Sequence, residues 1–563
     1  MPVVSSPMQG VVYPPRAEVA RYDEMGLFSD DTMGQAFRKV AARFPNRAAV
    51  SDASSAMSFV ELDEVTDRLA GSLLRSGLKP LDRVTFQIPN GKELVICFVA
   101  CLKAGLIPIC TLVAHRQAEI GYLSAHAKAR AHLIASDDPK FDFLAFARSI
   151  KSQTPSMDFT IIGRGPAPAN EPGVSGIKDL IDGISLADAR EILGSLELDA
   201  AQVAVFQLSG GTSGIPKIIP RFHNEYLYQL RTVAEWHGLT EKTVAFSPAP
   251  MMHNAPIVCY WGSTLWSGGE VVCAASLQPE AIAEVLAARH PNWMSIPLPI
   301  LLNLKAAGLL DRRNFEGARL STPSHTARLS DLTGGTAVPL YGMTEGIITY
   351  GRIGDPDFVL RSTVGRPVGP HDEFRIVDPE TGQELPDGEL GEFCFRGPSS
   401  CRGYYDAEDR NSEAFTAEGF CKSGDLMRAH LIDGVRYVSF EGRVKDVVSR
   451  GGEKINCQEV ERALINHPAV GAIAIVPMPD PVYSEKACAF VIPAKGAEPL
   501  TVAGAGAFLE KAGLAKFKWP ERIEIVSEFP TTSSGKISKP LLKQRIAAQL
   551  DSERGEAARA KPI

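Results

Sequence analysis

Apolar and polar residues alternate along most of the chain in two rhythms. Val84-Thr-Phe-Gln-Ile88 is a short apolar run closed by Pro89-Asn90, which predicts a strand and a turn. Leu94, Val95, Phe98 and Leu102 then recur at helical spacing, predicting a helix over 91–103 with Gly105 as its C-terminal cap. Leu106–Ile109 returns to a short apolar run. Strand, helix and strand in that order form the unit of a parallel sheet. A second helix is predicted from Pro279, a favoured first helical position, with Ile282, Val285 and Leu286 on its apolar face and His290-Pro291 as its stop.

From about 351 to 440 short alternating segments are cut by turn pairs at Asp378–Gly382, Pro386–Gly388 and Arg396–Pro398, an antiparallel, barrel-like texture. Asn456-Cys-Gln-Glu459 then matches a capping box ahead of a helical face of Val460, Leu464 and Ile465. The reading is an α/β fold. A large N-terminal domain (1–442) of two parallel-sheet layers and a small β-barrel is followed by a hinge at 443–446. A small mobile α+β domain (447–550) and a flexible tail (551–563) complete it. Residues 164–176 read as a surface loop, and no internal repeat is evident.

Composition narrows the function classes. The 563 residues are 45% hydrophobic and 22% charged, the balance of a folded globular chain with a sizeable core. The 59 Lys and Arg against 66 Asp and Glu give a formal charge of −7, against a nucleic-acid partner or an anionic membrane surface. The longest apolar run, Leu94–Leu102, is far short of the roughly 20 residues of a bilayer span. The N-terminus shows no basic region ahead of an apolar core, so a cytoplasmic protein is expected. Ten scattered cysteines show no zinc spacing, and most sit in apolar runs and read as small buried hydrophobes.

The most informative stretch is Val205-Phe-Gln-Leu-Ser-Gly-Gly-Thr-Ser-Gly-Ile-Pro-Lys217, an apolar strand running into a glycine-rich loop that ends on a lysine. Gly210, Gly211 and Gly214 let backbone N–H groups approach an anion, Ser209, Thr212 and Ser213 add hydroxyl donors, and Lys217 adds charge. Polyphosphate is the natural ligand; a Gly/Ser surface turn is the bland alternative. The spacing is not that of the GxxxxGK[ST] loop, because two residues separate Gly214 from Lys217 and Ile218 follows.

This loop resembles the signature of the adenylate-forming superfamily, and the family's other motifs follow in order. Tyr341-Gly-Met-Thr-Glu345 resembles the adenine and magnesium motif, Ser423-Gly-Asp425 the ribose motif, Gly442–Lys454 the hinge region, and Pro530–Lys536 the catalytic-lysine loop. Tyr13–Tyr22, Met25–Phe28, Ala114–Glu119 and His253-Asn254 narrow the resemblance to free-standing aryl-acid–AMP ligases, those for 2,3-dihydroxybenzoate and salicylate.

The resemblance implies two half-reactions. An aryl carboxylate attacks the α-phosphate of Mg-ATP, releasing pyrophosphate; a thiol, from coenzyme A or a carrier protein's phosphopantetheine, then takes the acyl group. It implies Lys536, Thr344 and Glu345 as catalytic residues, Glu345 also holding Mg2+. Tyr341, Gly342, Asp425 and Arg443 would hold adenine and ribose, Lys445 would be the hinge, and Gly451 and Gly452 would face the thiol.

His253, Asn254, Cys259 and Ile348 would line the acid pocket, with Asn254 facing a 2-hydroxyl. Cys259 stands where the dihydroxybenzoate enzymes carry serine and Ile348 where they carry valine, which favours salicylate. The chain departs from the subgroup at Ala255 and at Leu320-Ser-Thr-Pro-Ser-His325, which leaves room for another aryl acid. The alternatives are a general aromatic or other carboxylate–CoA ligase and, in a different class, a non-catalytic nucleotide or acyl sensor. No carrier attachment site is seen after 536, so a carrier protein would be a separate chain; a monomer or a homodimer is expected.

Overall fold

The computed structural model describes residues 4, 6–209, 216–323, 326–450, 453–532 and 536–559. The chain divides into two compact units. The first gathers 4–209, 216–374 and 395–421, and the second 375–394 and 422 onward.

Among the described residues, the first unit is built on two sheets. One has seven strands in the order Val174–Gly176, Phe159–Arg164, Ala131–Ala135, Arg83–Gln87, Ile107–Ile109, Val203–Leu208 and Ile218–Phe222. Its neighbours run parallel except for the last pair, an antiparallel hairpin with Leu208 opposite Ile218. The predicted strand–helix–strand unit is present here. Arg83–Gln87 leads into the helix Lys92–Lys103, Gly105 takes φ +67° just after it, and Ile107–Ile109 returns parallel to the first strand. That helix is buried on every side from Leu94 to Lys103, so it belongs to the interior rather than to a surface layer.

The other sheet has nine strands, among them Ala48–Ser51, Glu270–Val272, Val244–Phe246, Trp293–Met294, Arg319–Thr322 and Thr336–Gly342 in parallel array. Val84, Phe86, Ala245 and Val271, from both sheets, share one apolar core with the helices Phe59–Arg75 and Lys92–Lys103. The helix Pro279–Arg289 starts at its proline and stops at His290, in left-handed conformation; Ile282, Val285 and Leu286 are buried beneath it.

In the second unit, Cys421–Ile432 and Val435–Arg443 form an antiparallel pair within a four-stranded sheet. A further sheet joins Glu453–Asn456, Val447–Arg450, Ser484–Pro493 and Val470–Asp480, with Arg522–Ile525 parallel to Ser484–Pro493.

Four local expectations are corrected. The stretch 164–176 is not all loop, since Val174–Gly176 pairs with Thr160–Ile162 at the sheet edge. The capping box is half made. Asn456 accepts from the Gln458 N–H, but the Glu459 carboxylate is held by Lys518 (2.8 Å) instead of returning to Asn456. Ile465, expected on the apolar face, is the 45% exposed C-cap of that helix. The last helix, Lys539–Arg559, runs into the segment expected as a tail. All ten cysteines are free thiols and buried, more than the apolar runs predicted for most of them. Among the described residues no helix is long and apolar enough to cross a membrane.

Buried imidazoles give the first unit a pH signature. Burial pushes His132, His223 and His237 down to about 3, so all three stay neutral in the fold. Their unfolded forms take up protons near 6.5. Stability is therefore complete above about pH 6.5 and falls as pH drops toward 3, by up to about 1.4 kcal/mol per pH unit for each histidine. Asp372, pushed up to about 7 by burial, has the opposite sign and offsets part of it. Urea unfolding at a series of pH values should show this slope, and His132→Gln should flatten it.

Candidate functional site

The hairpin Val203–Leu208/Ile218–Phe222 carries the predicted phosphate loop at its turn. Residues 210–215 of that loop lie outside the described residues, as do Gly451, Gly452, Ser324 and His325. Its two ends are described and close on each other. Ser209 N–H donates to the Lys217 carbonyl (3.0 Å), and Lys217 N–H donates to Ser209 Oγ (3.1 Å). The Lys217 ammonium lies 4.1 Å from the centre of the Tyr404 ring, a cation–π contact. Tyr404 in turn donates its phenol to Glu345 Oε1 (3.0 Å). Burial and that carboxylate push the phenol well above its ordinary value, so it remains a donor. The predicted phosphate lysine, at the ring, and the predicted magnesium carboxylate, at the phenol oxygen, thus share one tyrosine.

Tyr341 and Gly342 end the strand Thr336–Gly342, and the chain then turns through Thr344 and Glu345 to the antiparallel strand Ile348–Tyr350. Backbone contacts hold this turn on each side. Cys401 N–H donates to the Glu345 carbonyl (2.8 Å), Gly346 N–H to the Met343 carbonyl (3.1 Å), and the Gln229 amide to the Gly346 carbonyl. Gly346 has φ +135°, and a Cβ there would collide with the Ser399 carbonyl. Ile348, opposite Gly342 in the register, lays its side chain over that glycine.

Arg221 organises the neighbourhood. Its side chain is 0% exposed. It pairs with Glu225 (Nε to Oε2, 3.0 Å), and donates to the Gln229 side chain (2.7 Å), the Thr344 carbonyl (3.0 Å), the Ser399 carbonyl (3.2 Å) and Asn254 Oδ1 (3.2 Å). Burial works against the charge, and the Glu225 carboxylate outweighs it and holds the guanidinium above its ordinary value. Tyr226 also donates to Asn254 Oδ1 (2.8 Å).

Asn254 itself is 5% exposed and stands beside half-buried His253 at the head of a π-helical stretch, Pro256–Trp261, a wide turn of the kind that gathers at functional sites. Cys259, inside that stretch, and Ile348 are fully buried, and Ala255 is exposed. Trp261 and Trp266 donate to the Met251 and Met33 carbonyls and pack in the core.

A separate cluster lies in the second unit. Asp425 and Arg443 are register partners across the antiparallel pair and form an ion pair of 3.3 Å. Gly442, at φ +152°, leaves room for Asn456, whose amide donates to the Glu441 carbonyl (2.7 Å). Exposed Lys445 lies in a short 3-10 turn beside Asp446, which Lys539 approaches (3.7 Å) while pairing with Glu461 (2.8 Å). Lys536 is exposed, yet the protein around its ammonium and the Arg443 charge pull it below the ordinary lysine value, with Asp425 opposing.

Sequence reasoning missed Arg221, Tyr226, Gln229 and Tyr404. One signal was available for the first, an arginine inside the otherwise apolar run Ile218–Phe222; a charge there must be paired in the interior. Tyr226, Gln229 and Tyr404 carry no comparable mark.

Residues 37–405 match the family of AMP-binding enzymes, and 459–536 match the AMP-binding enzyme C-terminal domain. The chain is 34% identical to a 2,3-dihydroxybenzoate-AMP ligase of Bacillus subtilis, over 94% of this chain and 96% of that protein. It is also 34% identical to a salicylyl-CoA synthase / salicylate adenylyltransferase of a Streptomyces species, over 97% and 99% of the two chains. Among solved structures, apo MbtA of Mycobacterium smegmatis superposes with a TM-score of 0.68 at 30% identity, covering 95% of this chain and 99% of that one.

The turn after Glu345 gives a direct test. Gly346→Ala should destabilise the protein by about 3 kcal/mol, the sum of a left-handed backbone cost and overpacking against Ser399. Thermal unfolding of the variant reads it; an unchanged melting temperature would contradict the packing described.

Proposed function

The chain belongs to the AMP-binding enzyme family, and from that premise we propose that it activates salicylate or another 2-hydroxybenzoate as its acyl-adenylate and passes the acyl group to a thiol. The observation that carries the acid's class is Asn254, a buried amide whose carbonyl oxygen is already taken by Arg221 and Tyr226. The full-length similarity to proteins named for 2,3-dihydroxybenzoate and salicylate supports it.

In the first step a carboxylate oxygen bonds to the α-phosphorus of ATP while the bond to pyrophosphate breaks. Two anions must meet, so positioning and charge stabilisation supply the rate. Lys536 is the cation that screens the carboxylate and the α-phosphate, and the residue is exposed at the surface, where substrates arrive. Thr344 donates to the α-phosphate. Lys217, with Ser209 and the loop glycines and hydroxyls of 210–214, holds the outer phosphates; Tyr341 and Gly342 flank adenine; Asp425, steadied by Arg443, accepts the ribose hydroxyls.

Glu345 is the residue to hold magnesium. It is a hard carboxylate, 6% exposed, with Oε1 fixed by Tyr404 and Oε2 in no hydrogen bond among the described residues. Bound there, the ion would neutralise phosphate charge. His253, Asn254, Cys259 and Ile348 surround the ring, and the last two make its far side apolar.

In the second step the thiolate attacks the acyl carbon and AMP leaves. The family matches end at 405 and resume at 459, and Lys445 lies in the gap between them, which supports it as the pivot between the half-reactions. Gly451 and Gly452 would then face the thiol of coenzyme A or of a separate carrier protein's phosphopantetheine.

Two outcomes are expected. Lys536→Ala should lower salicylate-dependent pyrophosphate release by about 10²–10³-fold with an unchanged melting temperature; unimpaired adenylate formation would overturn the role given to this lysine. Salicylate should also be a better substrate than 2,3-dihydroxybenzoate in the same assay, and equal or faster turnover of the catechol would remove the argument from Cys259 and Ile348.

A further inference from the structure

An asparagine amide is ambiguous as a recognition group, because either its oxygen or its nitrogen can face a ligand. At Asn254 the protein removes the ambiguity. Arg221 has only donors, so the atom of Asn254 that it contacts at 3.2 Å must be the oxygen. Tyr226 reinforces this. Its phenol accepts from the Gln207 amide (3.2 Å) and therefore gives its own proton to the same Asn254 oxygen (2.8 Å). Burial and its neighbours push that phenol well above the ordinary tyrosine value, so the proton stays on it. Both hydrogen bonds of Asn254 among the described residues are made by Oδ1, and none engages Nδ2. The NH2 group is left without a hydrogen-bond partner among the described residues and keeps some accessible surface on an otherwise buried residue. A ligand acceptor can therefore reach it, and a ligand that displaces its water without offering an acceptor leaves the donor unpaired at a cost.

We propose that Arg221 and Tyr226 are positioning residues that lock the Asn254 amide with its NH2 toward the acid, so that the pocket selects an aromatic acid whose ortho substituent accepts a hydrogen bond. This deepens the reading of Asn254 as an acid-pocket residue and rests on it. A salicylate fits. Its phenol gives its proton to its own carboxylate in a six-membered ring and offers its oxygen lone pair outward to Nδ2. An anthranilate does not, because its ortho amine is a donor with a delocalised lone pair and meets a second donor. A benzoate leaves Nδ2 unsatisfied. The same guanidinium holds the Thr344 carbonyl (3.0 Å), so the group that orients the acid's recognition amide also fixes the backbone of the adenylate motif.

The test is the ratio of kcat/KM for salicylate, benzoate and anthranilate in pyrophosphate release, measured on the full chain. Unmodified protein should prefer salicylate to anthranilate by 100-fold or more. Asn254→Asp keeps an oxygen for Arg221 and Tyr226 but presents a second acceptor to the ring, and should raise the anthranilate-to-salicylate ratio at least 10-fold. Tyr226→Phe removes one of the two donors that fix the amide and should lower the salicylate-to-benzoate ratio several-fold. Arg221→Lys keeps a charge opposite Glu225 but cannot reach Asn254 and Thr344 together, and should do the same more strongly. Should this buried variant fail to fold, the other two carry the test. Activity that falls equally for all three acids, leaving the ratios unchanged, would reduce Arg221 and Tyr226 to structural roles and overturn the inference while sparing the proposed reaction. No turnover of any of the three acids by the unmodified protein would overturn both.

Discussion

One desolvated cation sets the terms for the first unit. A guanidinium with no exposed surface has lost all its water, and its charge and its N–H groups must be met inside the protein. The Arg221 partners come from four separate stretches of chain: the helix His223–His237, Asn254, the turn at Thr344 and the loop at Ser399. The helix follows Arg221 directly, while the other three are distant in sequence, and none could move without stranding part of a buried charge. The sheet hairpin that brings Arg221 inward thereby fixes the Asn254 amide, the turn at Thr344 and the segment leading to Tyr404 in one frame.

The second unit is organised differently. Asp425 and Arg443 pair across neighbouring strands at 3.3 Å, with the arginine partly exposed. Lys445 and Lys536 both reach the surface. Charge here is held loosely and close to water, where ion pairs are weak and side chains can change partners. Lys539, by contrast, is locked between Glu461 and Asp446, which ties the start of the last helix to the segment just after Lys445.

Much of the fold was legible because it is written in local rules. Pro279 and His290 bracket a helix since proline favours a first turn and His290 ends it in left-handed conformation. The strand–helix–strand unit of 83–109 follows from two periodicities. The rules failed where a local preference met a distant partner. Glu459 leaves its own helix cap because Lys518 offers a full charge. Val174–Gly176 leaves the loop state because an open sheet edge at Thr160–Ile162 accepts it.

The sequence by itself determined the ordered motifs, hence the family, the chemistry of phosphate and carboxylate that it performs, and the residue types available for each role. Only the tertiary structure decided that Tyr404 bridges Lys217 and Glu345, and that Asn254 turns its oxygen toward Arg221 and its NH2 away. The reason is physical. Motifs record which groups are present, whereas the direction in which a buried polar group points depends on which of its atoms the surrounding donors have already claimed. Those donors arrive from segments that share nothing with the motif but a place in the folded core.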